Sequence, residues 1–326
     1  MLSRVADSIY WLGRYLERAE NYARFIDVDY SLTLDLPPNS GEPWKPLVTV
    51  TGDYERYTRL HENFDRFNAI YFLAFSRDNP NSLLTSISNA RENARTVREK
   101  MTKESWEKLN ETYLFVLDGV KNEIWRKEDP RDFFQDVKYK IQLLYGIEDN
   151  SVARTEEWHF RQLGQFLERA DKTSRILDVK YHILLPSPDD VGSTLDILQW
   201  MALLKSVSAF NTYRRIHGNI EPAGVVEFLV LNKYFPRSIF YCLSEAEQCL
   251  CKISDSSGKG FTNMPEKKIG ALRSQLEYHD VKDVIGYGLH EYLDELQLKI
   301  NEISDATEDH FFKIGTSTQT QQSLQS

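Results

Sequence analysis

The sequence predicts an all-α protein, a helical bundle built from two pseudo-symmetric halves. Apolar residues recur at three- and four-residue spacing through most of the chain, and almost no stretch alternates apolar with polar as a half-buried strand would. The stretch LGRYLERAENYARFIDV at residues 12–28 returns as LGQFLERADKTSRILDV at residues 163–179, a shift from 12 to 163 of 151 positions. Phe72-Leu73 and Pro80-x-Ser82 are echoed by Phe228-Leu229 and Pro236-x-Ser238, at a shift of 156 positions, so the duplication extends over the whole chain. One domain is expected over 1–314, in halves of about 1–148 and 149–314, followed by a polar, low-complexity tail at 315–326.

In order, the spacing predicts a first helix over 3–34, with Leu12, Leu16, Ala19, Ala23 and Ile26 on one face, Ser3 at its start and proline at Pro37 to stop it. LDLPPNSGEPWKP reads as a connection, and helical periodicity resumes from Tyr54 to Phe75. Asn79-Pro80-Asn81-Ser82 forms a turn and cap before a helix to about Lys100, and Thr102-x-x-Ser105 opens another that continues toward Trp125. Asp129-Pro130 starts a helix ending near Gly146, and a second long helix runs from about Ser151 to Pro186. Helices are then expected at about 193–215, 222–232, 237–255, 265–279 and 281–312.

Composition narrows the function classes. A chain of 326 residues can bury a sizeable core, and a formal charge of −9 with pI near 5.4 argues against nucleic-acid or anionic-membrane partners, which call for a basic face. Cys242, Cys249 and Cys251 form no C-x-x-C pair and leave an odd count, which fits a reducing compartment rather than a disulfide framework. No run of about 18 apolar residues occurs, and Arg4 and Asp7 interrupt the N-terminus where a signal peptide needs an apolar core, so a soluble cytoplasmic protein is expected.

The repeated stripe is where chemistry is expected. At about 100° per residue, Gly13, Glu17, Glu20, Arg24 and Asp27 fall within one strip of a helix, as do Gly164, Glu168, Asp171, Arg175 and Asp178. The glycine of each strip allows a close backbone approach. A solvated face stitched by ion pairs would tolerate any order of charges, whereas here the order is kept while Asn21/Lys172 and Tyr22/Thr173 drift. A polar seam buried between the two repeat helices about a pseudo-two-fold axis follows, and buried charges need partners. Arg91, Arg95 and Arg98, spaced i, i+4, i+7 with Glu92, Asn93 and Glu99 beside them, offer a cationic strip for the acidic stripe or for a phosphate or carboxylate ligand. The shift of 156 puts Glu247 and Cys251 where Arg91 and Arg95 stand, so that strip belongs to one half. Arg214, Arg215 and Arg237 add cations that can line the same cleft.

Other chemistries fit less well. A carboxylate metal centre needs Glu-x-x-His on two helices and only Glu156-x-x-His159 matches, so no metal and no cofactor are expected. No H-E-x-x-H, G-x-S-x-G or phosphate-binding glycine loop is present, and Gly286-Tyr287-Gly288 lacks a third glycine. The cysteines lie on the apolar helix YCLSEAEQCLC and read as core.

The opening SRVADSIYWLGRYLERAENYAR, the central ARENARTVRE followed by Trp106 and Asn110, WHFRQLGQFLERADKTSR and YFPRSIFYCL together resemble the bacterial alpha-E domain family, over nearly the whole chain. Carried over by the resemblance, the motif positions are Trp11, Arg14, Glu17, Arg18, Glu20 and Arg24, then Arg91, Glu92, Asn93, Arg95, Arg98 and Glu99, then Glu168, Arg169, Asp171 and Arg175. Gln165 stands where Arg14 stands in the first copy, so the halves are not equivalent sites. The resemblance implies an all-helical cytoplasmic protein working with a circularly permuted ATP-grasp-like protein and a transglutaminase-like protein in ATP-dependent peptide or amide bond formation. Two functions are therefore expected to compete. One is an accessory helical partner that binds an acidic or phosphorylated ligand or the ligase itself; the other is an enzyme with Glu17 or Glu168 as general base and arginines stabilising an oxyanion. The first is favoured, because a carboxylate among arginines has its pKa lowered and makes a poor base.

Overall fold

The structure, a computed structural model, describes residues 1–34, 44–182, 192–256 and 260–313, and of residues 31–34 and 181–182 the backbone only. Among the described residues the chain forms fifteen α-helices and no strand. They are α1 (Ser3–Leu34), α2 (Lys45–Val50), α3 (Tyr54–Leu60), α4 (Arg66–Ile70), α5 (Leu83–Thr96), α6 (Lys103–Lys121) and α7 (Arg131–Ser151). The second half brings α8 (Glu156–His182), α9 (Thr194–Ser206), α10 (Phe210–His217), α11 (Pro222–Val230), α12 (Ile239–Ile253), α13 (Met264–Tyr278), α14 (Val281–Tyr287) and α15 (Leu289–Thr307). Pro37, Pro186, Pro188 and the tail 315–326 lie outside the described residues.

Local chemistry sets the boundaries. Ser82, Thr102 and Ser238 each accept the backbone N–H three residues on, capping α5, α6 and α12. The segment read as one helix from Tyr54 to Phe75 is broken at His61, whose backbone is extended, and restarts where Asp65 caps α4 through the N–H groups of Phe67 and Asn68. It ends in a π-helical turn at Tyr71–Phe75. The connection before it contains a helix the sequence reading missed, α2, which Pro46 helps to start because its fixed φ suits a first turn. The helix expected over 193–215 divides at Ser208, which takes the left-handed φ of 55°, and the one expected over 281–312 divides at Gly288, with φ 102°. α7 runs past Gly146 to Ser151, and α8 begins only at Glu156 rather than near 151.

α1 and α8 pack against each other at the centre of the molecule. Their contacts rise together along the chain, the Met1 amine reaching Glu156 and Arg18 reaching Glu168, so the two helices run in the same direction. α5 and α7 flank α1, while α12 and α15 flank α8. One continuous apolar cluster draws on both halves, with Leu16, Ala19 and Ala23 of α1 and Leu163, Leu167 and Ala170 of α8 at its middle. Cys242 and Cys249 lie buried in the same core, and burial pushes both thiols up to about 12.

Candidate functional site

The crossing of α1 and α8 is set by two glycines. A Cβ on Gly13 would come within 2.2 Å of the Arg161 carbonyl oxygen, and one on Gly164 within 2.2 Å of the Tyr10 carbonyl oxygen. Only glycine lets the backbones approach this closely. One turn beyond the crossing, each helix delivers a Glu-Arg pair to the other. Arg169 donates Nε and Nη2 to Glu17 at 3.0 and 2.8 Å, and Arg18 donates Nε and Nη2 to Glu168 at 2.7 and 3.1 Å. Both glutamates are 0% exposed.

Around this pair of forks further donors converge, although Glu20 Oε2 and Gln165 Oε1 are buried without a hydrogen-bond partner. Glu17 also accepts from Arg237 at 2.9 Å, Asn21 at 2.9 Å and the Tyr145 hydroxyl at 3.3 Å. Glu168 accepts from Arg14 at 2.8 Å and lies 3.3 Å from the Lys172 ammonium. Glu20 accepts from Arg24 at 2.5 Å, Arg237 at 3.0 Å and Gln142 at 2.9 Å, while Asp171 takes Lys172 at 2.7 Å and Arg175 at 3.0 Å. At the far end of the stripe Asp27 pairs with Lys138 of α7, and Asp178 bonds His290 of α15 at 2.8 Å. Burial alone would raise the Glu17 carboxyl, but Arg169 and Arg237 hold it well below the carboxylate range; Arg18, Lys172 and Arg14 do the same for Glu168 against its burial.

The two halves neutralise their second carboxylate differently. Arg237, at the start of α12, reaches Glu17, Glu20 and Asn21. The position matched to it at a shift of 156 is Asn81, which accepts from Arg18 at 3.0 Å and donates to Asp53 at 3.1 Å. Where Arg237 faces the neutral Asn21, Asn81 lies on the side of the seam that carries Lys172. One half thus has Arg237 with Asn21, and the other has Asn81 with Lys172. The seam is still rich in positive charge. Arg14, Arg18, Arg24, Arg169, Lys172, Arg175 and Arg237 outnumber Glu17, Glu20, Glu168, Asp171 and the buried Asp53. Burial and the neighbouring Arg237 lower the pKa of Arg24, whose guanidinium also bonds Ser208 Oγ.

The expected meeting of Arg91, Arg95 and Arg98 with Glu17, Glu20 and Arg24 does not occur. Arg91 donates to Asn110 at 2.8 Å and lies over the Trp106 and Tyr113 rings, and Arg95 is 69% exposed and pairs with Glu92. Arg98 sits beyond the end of α5, over Trp106, and Asn93 is half-buried with its carbonyl accepting the Val97 N–H. Of the two arginines on α5, Arg91 turns toward α6 and Arg95 toward solvent, and neither faces the seam. Arg237 supplies the cation instead. Sequence reading missed Asn81, Asp53, Gln142 and Tyr145, all on elements other than the repeated helices. The matched positions Asn81 and Arg237, set against Asn21 and Lys172, carried a signal for the first.

Among the described residues, Asp178, His290 and Asp294 bring three potential metal ligands within 4.8 Å of one another. His290 meets both carboxylates, Asp178 at 2.8 Å and Asp294 at 3.6 Å, and so ties α15 to α8. Glu156 lies 3.2 Å from the N-terminal amine. No helix among the described residues is long and apolar enough to cross a membrane.

No solved structure matches the chain. Similar proteins include an uncharacterized protein of Mycobacterium bovis and two of Mycobacterium tuberculosis, each 23% identical over 322 positions, covering 90% of this chain and 34% of the relative. The chain thus spans about a third of the length of the curated relatives it matches. The family model for Alpha-E, described as a predicted alpha-helical domain with a conserved ER motif, matches residues 1–312. In this structure the two Glu-Arg dipeptides, Glu17-Arg18 and Glu168-Arg169, are the groups exchanged across the helix crossing. The chain belongs to the Alpha-E family.

Proposed function

We propose that the protein is a non-catalytic helical partner of an ATP-grasp-type peptide or amide ligase, holding the ligase itself or an acidic or phosphorylated group on which the ligase acts. The observation that carries this reading is the state of Glu17. Its carboxylate is fully buried, gripped by two guanidiniums and held ionised, so it neither meets a substrate nor takes up a proton near neutral pH. Glu168 is in the same state. A general-base enzyme built on either residue therefore has little support.

Two further observations fit a partner role. The curated relatives carry the matching region as about a third of a longer chain, which suits a module that works beside other domains. The excess of guanidiniums in the seam favours an acidic surface or ligand at its open edge, where the Arg175 side chain is 20% exposed. The choice of an ATP-grasp-like ligase, with a transglutaminase-like protein as second partner, rests on the family resemblance.

The test is reconstitution. The chain is purified with the ATP-grasp-like protein from the same genome, and co-elution and ATP turnover are measured for each protein alone and for the mixture. Co-elution, with ATP-dependent amide formation in the mixture only, is expected. Amide formation or hydrolysis by this chain alone that is abolished in Glu17→Gln or Glu168→Gln would overturn the reading in favour of an enzyme.

A further inference from the structure

A cleft of about 710 Å³, open to solvent, lies between the end of α3, α4 with its π-helical turn, and the single turn Ile124–Arg126. Phe67, Tyr71 and Trp125 give it three aromatic rings. Phe67 and Tyr71 are 45% and 36% exposed, and the half-buried Trp125 ring stands 5.0 Å from the Tyr71 ring. Rings left in water forgo the burial that a core would give them.

The frame around the cleft does not need these rings. At the shift of 156, Tyr57, His61 and Phe72 behind the cleft match Tyr213, His217 and Phe228, and their contacts repeat. Tyr57 meets Phe72 edge-on at 5.1 Å and Tyr213 meets Phe228 edge-on at 5.5 Å; His61 and His217 lie 6.1 and 5.9 Å from the same phenylalanines. α4 packs on the turn Ile124–Arg126 as α11 packs on α14. The open rings are not repeated, because Phe67, Tyr71 and Trp125 match Ala223, Glu227 and Val281. The same frame thus stands in the second half without them.

Charge and hydrogen bonding narrow the occupant. Asp65 and Arg126 cancel within the lining, and burial holds His61 below its ordinary value of 6.5, so the cleft is neutral near neutral pH and favours neither an anion nor a cation. Asp65 is already spent: its Oδ1 accepts the Phe67 and Asn68 N–H groups at 2.9 and 3.0 Å, and its Oδ2 the Asn68 amide at 2.5 Å. What remains for a ligand is mostly donors, the Trp125 indole N–H, the Tyr71 hydroxyl and the Arg126 guanidinium, set beside ring faces. A sugar brings donors of its own and needs acceptors. A run of prolines brings none, since each residue presents an apolar ring and a carbonyl and has no N–H. In the polyproline II conformation those carbonyls have no internal partner and are open to an outside donor.

We propose that this cleft binds a neutral, proline-rich segment of a partner protein in the polyproline II conformation. Its prolines pack on Phe67, Tyr71 and Trp125, and its carbonyls accept from the Trp125 indole and Arg126. The bound helix is preformed, so little ordering entropy opposes binding. The site is separate from the Glu17–Arg169 seam and stands whether or not the partner is a ligase.

Isothermal titration of the full chain with a blocked octaproline peptide tests the assignment, against a blocked Gly-Ser peptide of equal length and against maltohexaose. Octaproline is expected to bind with Kd below about 1 mM, at least roughly tenfold more tightly than either comparator. Phe67→Ala is expected to weaken it roughly tenfold. Trp125→Phe, which keeps a ring beside Tyr71 and removes the indole donor, is expected to weaken it roughly fivefold, with the melting midpoint little changed. Any of four results overturns the proposal: no saturable octaproline binding up to about 1 mM, equal affinity for the Gly-Ser peptide, tighter binding of maltohexaose, which would make the cleft a sugar platform, or unchanged affinity in both variants, which would place the peptide elsewhere.

Discussion

Gly13 lies so close beneath Arg161 that a Cβ would stand 2.2 Å from its carbonyl oxygen, and Gly164 meets Tyr10 in the same way from the other helix. This reciprocal contact fixes how near α1 and α8 come. That separation in turn decides whether each glutamate can be held bidentately by the arginine of the other helix. Because the atoms met are backbone, no rotamer change relieves the clash. Gly13→Ala and Gly164→Ala are each expected to lower unfolding free energy by about 3 kcal/mol, at the upper end for overpacking. Urea denaturation measures it, and wild-type stability in both variants would show that the helices cross further apart.

The glutamates are expected to be structural. Glu17→Ala strands Arg169 and Arg237, and Glu168→Ala strands Arg18 and Arg14, so each should cost about 3–5 kcal/mol. Replacing Glu17 and Arg169 together by Leu and Met should cost less than Glu17→Ala alone, since fewer buried charges are left unpaired. Both carboxyls are held below their ordinary value of 4.5, so their contribution is present above that pH and is lost as pH falls through the folded value. Acid denaturation should therefore begin below about pH 4.5 in the wild type and be shallower in either Ala variant. An unchanged acid limb would count against the seam.

Two arginines separate the surface from the seam. Arg95, exposed and paired with Glu92, is expected to change stability by no more than about 0.5 kcal/mol when replaced by Ala. Arg237→Ala removes the shared partner of Glu17 and Glu20 and should lose about 3 kcal/mol or more. Thermal melting of the two variants side by side decides the matter, and equal shifts would undo the assignment of Arg237 to the seam.

Asp29 predicts the opposite pH slope. It lines a cavity of about 20 Å³ with Phe25, Leu47 and Leu203, room for about one water, and its Oδ2 has no hydrogen-bond partner. Burial pushes its carboxyl up from 3.8 to about 8. A raised folded value means the stabilising contribution is full below the unfolded value and is lost as pH rises through the folded one. Asp29→Asn, which cannot ionise, should therefore gain on the wild type steadily from about pH 4 to pH 8 in urea titrations. A constant difference between the two proteins over that range would show that Asp29 is ionised in the folded state.

The sequence by itself determined the helical class, the caps at Ser82, Thr102 and Ser238, and the stripe that carries Gly13, Glu17 and Glu20 and returns at Gly164, Glu168 and Asp171. These are local properties: a period of 3.6 residues, a side chain bonding an N–H three positions on, a residue too small to block a neighbour. Helix breaks were less legible. Ser208 and Gly288 interrupt apolar periodicities that run on across them, because one residue's left-handed φ leaves the spacing almost intact while it redirects the chain. The pairing of charges was decided only by tertiary structure. Arg91, Arg95 and Arg98 have the spacing of a cationic strip, but in the fold they meet Trp106, Tyr113 and Glu92 instead. Arg237, 220 positions from Glu17 and just ahead of a helix packed against the opposite partner, is carried into the seam. A guanidinium's local sequence sets which face of its own helix it occupies, and the crossing of α1 and α8 with the docking of α12 sets which carboxylate that face meets.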